Sequence, residues 1–133
     1  MNNSVFVLMK NSENSTFYFR FIGADKKVLL YSESEQTKLQ CIQKIAAITI
    51  NVLRDDRFEK IDTSTLYSFL LRSIVGDILA KSGDFTSEKE RDDALARVKE
   101  EAVGAAIKDS NVDTPVHFTG LGKLRKTGLA PEQ

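Results

Sequence analysis

The chain is 133 residues long, which suits one compact domain able to bury roughly two thirds of its unfolded surface without metal or disulfide support. Its 19 basic and 19 acidic residues cancel, which excludes an overall basic field that would draw nucleic acid and an overall acidic one that would draw a basic partner. A single cysteine excludes an internal disulfide, and no stretch reads as a signal peptide or membrane span, so a cytoplasmic protein with no membrane association is expected.

In chain order, "VFVLM" from Val5 reads as a short strand and "NSENS" as a turn. "FYFRF", residues 17–21, is a strand with Phe17, Phe19 and Phe21 on one face and Tyr18, Arg20 and Ile22 on the other. The phenylalanine side is the expected core side. A third strand, "KKVLLYSE", precedes a helix from Thr37. The series then recurs as "RFEKI" from Arg57, the turn "DTST", "YSFLL" at residues 67–71, "GDILAKS" and a helix from Ser87. Here Tyr67, Phe69 and Leu71 fall on the core side, with Ser68, Leu70 and Arg72 opposite. The offset is fifty residues and holds without a gap: Val28 and Leu29 fall on Ile78 and Leu79, Ser32 on Ser82, and Ala46 on Ala96. For the opening strands it is fifty-two, because the second turn is shorter.

Both helix starts carry the residues of a capping box, Thr37 with Gln40 and Ser87 with Glu90, again fifty apart. Beyond the first, Leu39, Ile42, Ile45, Ala46 and Ile50 are expected to form a broad apolar face; beyond the second, Ala94, Leu95, Val98 and Ala102 form a narrower one. A further extended piece follows each helix, near "RDDRFEK" and at "AAIKD". The fold class is therefore α+β: two βββα(β) units, about 5–56 and 57–110, in one domain over residues 1–110, with both helices packed on one face of the sheet. Residues 111–133, with two prolines and three glycines, read as an extended or flexible tail.

The pieces "FVLMK", "FYFRF", "KKVLLYSE" and the Thr37 helix, then "FEKID", "YSFLL", "GDILAKS" and the Ser87 helix, resemble the YegP-like family of small bacterial proteins of undetermined biochemical role. The resemblance spans roughly residues 5–110. It implies a tandem repeat whose units join in a single antiparallel sheet, with the closing strands exchanged between units. It brings no catalytic residues. The chain departs from the family pattern at Lys26 and Lys27, which stand where an Asn-Gly type of turn is common, and in its tail.

Reactive groups do not assemble from the motifs. "GLGK" in the tail lacks the spacing of a phosphate loop and the Ser or Thr after its lysine. Cys41 reads as structural, having no base beside it, and His117 has no second histidine or cysteine pair for a metal. The acids of the second helix, Glu88, Glu90, Asp92, Asp93, Glu100 and Glu101, alternate with Lys89, Arg91, Arg97 and Lys99 and read as ion pairs on a solvated surface. The expectation is a protein that is not an enzyme and needs no cofactor or metal.

The sheet face away from the helices is the expected site, with Tyr18, Arg20, Ile22, Tyr31, Leu70, Arg72 and Lys81 mixing rings, aliphatic groups and cations. Aromatic and Arg side chains anchor protein interfaces, so this face is expected to bind a partner chain or a second copy. Weak binding of single-stranded nucleic acid is the alternative, disfavoured by the neutral net charge. An acidic surface on the second unit that binds or inhibits a basic protein is a further one.

Overall fold

The computed structural model describes residues 3–110, so the tail, with His117 and "GLGK", lies outside the described residues. Strands β1 (Val5–Asn11), β2 (Thr16–Ile22) and β3 (Val28–Tyr31) lead to helix α1 (Lys38–Asn51). A 3-10 turn at Asp55–Arg57 then opens into β4 (Phe58–Asp62), β5 (Tyr67–Arg72), β6 (Ile78–Lys81), helix α2 (Glu88–Glu101) and β7 (Ala106–Asp109). The strands form one seven-stranded sheet in the order β4-β5-β6-β3-β2-β1-β7.

The fold is α+β with a mixed sheet, which corrects the expectation of a wholly antiparallel one. β7 pairs with β1 in parallel, Phe6 beside Ile107 and Leu8 beside Asp109, while the other neighbours are antiparallel. The cause lies at the end of α2. Ser4 Oγ donates to the Glu101 carbonyl at 3.1 Å, so β1 starts where α2 stops. A strand that leaves α2 beside β1 has to run in the same sense.

Alternation places Phe6, Leu8, Phe19, Phe21, Leu30, Phe69 and Leu71 on the helix side of the sheet, each at most 1% exposed and joined in one core with residues of both helices. Rings set the spacing inside it: Phe6 and Phe21 lie 4.5 Å apart between centroids, and Phe58 meets Phe69 edge to face at 5.9 Å.

Along α1 the buried residues are Cys41, Ile42, Ile45 and Ile48, followed by Val52 at the cap. Leu39 and Ile50 are 58% and 67% exposed, so the apolar face is narrower than expected and rotated toward Cys41. At 3.6 residues per turn, Leu39, Ala46 and Ile50 fall in a row opposite the one through 41, 45, 48 and 52. The Thr37 capping box is complete. At α2, Ser87 Oγ accepts the Glu90 N–H at 3.1 Å, but the Glu90 carboxylate turns to Thr86 instead of the cap backbone.

Several local contacts occur twice, fifty residues apart. Ser32 Oγ accepts the Phe19 N–H at 2.8 Å, and Ser82 Oγ accepts that of Phe69 at 2.9 Å. Phe17 exchanges backbone hydrogen bonds with Glu35, and Tyr67 does so with Phe85. Leu29 and Leu79 are the extra residues of bulges in β3 and β6. In the hairpin turns Lys26 takes the left-handed conformation, φ 73°, that Gly76 takes at φ 96°. Among the described residues no helix is long and apolar enough to cross a membrane.

Candidate functional site

Strand pairing decides which side chains of the outer face stand side by side. One row crosses all the strands, each member opposite the next: Glu59, Leu70, Lys81, Tyr31, Arg20, Val7 and Lys108. Its members alternate along their strands with the core residues, so the row lies on the face that the helices leave open.

Arg20 is the centre of the arrangement. Its guanidinium lies 5.7 Å from the Tyr18 ring centroid, two residues along β2, and 5.3 Å from that of Tyr31, directly across on β3. Among the described residues Arg20 and Lys81 take part in no ion pair, so both cations are available to an incoming group. Tyr31 is exposed, while Tyr18 and Ile22 are half-buried. Arg72 is already engaged: it donates to Glu59 at 2.9 Å and to the Gly76 carbonyl at 2.8 Å.

Leu70 is corrected. Alternation puts it on the outer face, yet it is only 5% exposed and does not present a contact surface. Its cross-strand neighbours Glu59 and Lys81 are long, as is Arg72, whose head is bound to Glu59. Such chains lay their stems over apolar surface while the charge stays in water. The structure also adds residues the sequence reading did not assign. Val7 and Lys108 continue the Arg20 row, and Met9 stands opposite Tyr18. The alternation of "VFVLM" held the signal for the β1 pair; the parallel pairing that brings Lys108 there left none.

Cys41 is fully buried, and burial pushes its thiol up to about 11, with Glu35 adding to the shift. It is therefore a poor nucleophile at neutral pH. On α2 the expected pairs Lys89–Asp93 and Arg97–Glu101 form at 2.8 and 2.9 Å. Arg91, however, is not solvated: it is 1% exposed, donates to Asp62 at 2.5 Å and Asp92 at 2.7 Å, and lies over the Tyr67 ring. Fifty residues earlier the same place holds Cys41. Arg97 spans to the first hairpin with two bonds to Asp25, at 2.7 and 2.9 Å. These acids hold other residues in place.

No protein-family model and no curated protein matches the sequence. Two solved structures share the fold. A UPF0339 protein from Shewanella oneidensis is 25% identical with a TM-score of 0.76, the match covering 80% of this chain and 90% of that one. The yegP protein of E. coli, of unknown function, is 24% identical with a TM-score of 0.77, the match covering 83% of this chain and 95% of that one. Likeness over 80–83% of this chain and 90–95% of the two structures agrees with the motifs of the two strand-and-helix series, and the chain is YegP-like in fold.

Proposed function

We propose that the protein is a non-enzymatic, cytoplasmic interaction module that binds a partner chain, or a second copy of itself, through the outer sheet face around Tyr18, Arg20 and Tyr31. The observation that carries this reading is Arg20, held between two rings with no acid beside it, on a face that neither helix covers. An Arg already positioned by stacking loses little freedom when a partner docks on it, which favours its use as an anchor. In the same reading the chain is a tandem of two βββα(β) units, supported by the doubled serine-to-backbone bonds at Ser32 and Ser82.

The test compares the parent with Tyr31→Ser and Arg20→Ala, singly and combined, by sedimentation and by pull-down. Both side chains lie outside the core, so the variants are expected to keep the parent's unfolding midpoint. Loss of self-association, or of partners that the parent captures, is the expected result. Unchanged binding by the folded double variant removes this face from consideration. Arg20 with two tyrosines also suits stacked bases, so any binding of single-stranded oligonucleotide is to be titrated with salt, where phosphate contacts give a steep logarithmic slope.

A further inference from the structure

The outer edge of β4 is open where the matching edge of β1 is filled. Phe69 and Tyr67 turn their backbone groups toward β6 and the loop after it, through bonds with Ser82 and Phe85. Lys60 and Asp62, paired opposite them, therefore turn theirs away from β5. Among the described residues no strand pairs with that edge. On β1 the corresponding place is occupied by β7. The Leu8 carbonyl, fifty-two residues before Lys60, accepts the Ser110 N–H at 2.9 Å, and Ile107 is buried beside Phe6.

The space for a side chain is open as well. A cavity of about 380 Å³ adjoins β4, lined by Phe58, Leu95, Lys60, Asp55 and Lys99. Phe58 and Leu95 correspond to Phe6 and Ile45 of the first half, so the cavity lies where Ile107 would go if β7 had a counterpart. Charge sets the next position. On β7, Asp109 bonds Lys38 at the start of α1 at 2.5 Å; the residue at the same place on α2 is Glu88, whose side chain is 65% exposed with one oxygen 3.7 Å from the Arg91 guanidinium. The sign is reversed, so a segment like β7 is discouraged there. Antiparallel pairing of β4 with β4 of a second copy sets like charges opposite one another when centred on Glu59 or Lys60, and when centred on Ile61 it sets only Ser64 opposite Phe58, which leaves the cavity unfilled.

We infer that this edge is a second docking site, separate from the outer face, for an extended segment of a partner protein. The segment adds parallel to β4, places a large aliphatic side chain in the cavity between Phe58 and Leu95, and carries Lys or Arg two residues later for Glu88. Main-chain bonds supply affinity and the alternate side chains supply selectivity, as in other strand additions.

The test uses the full chain and two labelled eight-residue peptides rich in Thr, one with Ile followed two positions on by Lys, the other with Asp in place of that Lys. The Lys peptide is expected to bind roughly fivefold tighter, the ratio for an exposed charge pair worth about 1 kcal/mol. Glu88→Lys reverses the preference. Lys60→Pro removes an outward N–H without touching the bonds to β5 and abolishes binding, while Lys60→Ala retains it. Amide shifts of the parent protein on adding the Lys peptide supply a readout independent of any variant, and are expected at Lys60, Asp62 and Leu95. No saturable binding of the Lys peptide, equal affinity for the two peptides, or shifts confined to other residues would overturn the inference.

Discussion

The Arg91 side chain is 2% exposed, whereas those of Asp62 and Asp92 are 50% and 48% exposed, so the two sides of the cluster respond differently to substitution. Removing the cation leaves acids that water can reach, and a Met at 91 keeps most of the packing. Arg91→Met is accordingly expected to cost about 1 kcal/mol or less, because a buried ion pair replaced by apolar volume is often near neutral. Asp62→Ala deprives a buried guanidinium of its shortest bond and is expected to cost more, about 2 kcal/mol. Urea midpoints of the two variants check the order; an Arg91→Met loss exceeding that of Asp62→Ala would show that the guanidinium itself stabilises the fold. Little of this was legible in the sequence. Within "KERDDALARVKEE" Arg91 looks like any other charge of a solvated helix, and only its register with Cys41 distinguishes it. Leu70 failed in a different way: alternation gave its face correctly, but burial there depends on long neighbours from β4 and β6.

At the scale of elements, the C-terminal end of α2 acts as a clamp on the first hairpin. Arg97 holds Asp25 with two bonds and Glu101 with one, and Glu101 accepts the Ala24 N–H at 2.9 Å. Gly23 leaves room for this, since a β-carbon there would collide with the Arg97 guanidinium. The Arg97 bond, aided by the Lys27 N–H, lowers the Asp25 carboxyl below its ordinary range. Burial pushes Glu101 up, but the bonds from Arg97 and Ala24 together outweigh it and the net direction is down. A lowered acid binds fewer protons in the native than in the unfolded state. Its contribution is complete above the ordinary carboxylate values of about 4 and is lost as pH falls through the lower native ones. The urea midpoint is thus expected to decline on acidification below about pH 4, and Arg97→Met should make the decline shallower. Equal declines in parent and variant would locate the acid sensitivity elsewhere. The helix pair of Arg97 with Glu101 was readable from its spacing; the Asp25 bonds, made 72 residues away, had no local signal.

For the whole molecule the decisive contact joins the two ends of the described chain. β7 lies along β1, Ile107 is 7% exposed within the core, and Lys38 of α1 bonds Asp109. The strands and both helices were legible because they rest on local periodicity and caps. The partner and direction of β7 were not, since nothing in "AAIKD" states which edge it covers. The pairing makes the halves depend on each other: without residues 106–109, β1 keeps only β2 and becomes an open edge, and without β1, β7 has no partner. The two halves are therefore expected to unfold as one unit. Ile107→Ala should lower stability by about 2 to 3 kcal/mol, the lower part of the range for deleting a buried aliphatic chain, since β7 is an edge strand. That loss should reach the far side of the sheet. Hydrogen exchange of β2 and β5 amides under native conditions reads it directly, with protection of the slowest amides expected to fall by the same factor in both strands. If β5 keeps the parent's protection while β2 loses it, the halves open independently, and β7 is a local cover for β1 instead of the clasp that makes the sheet one cooperative body.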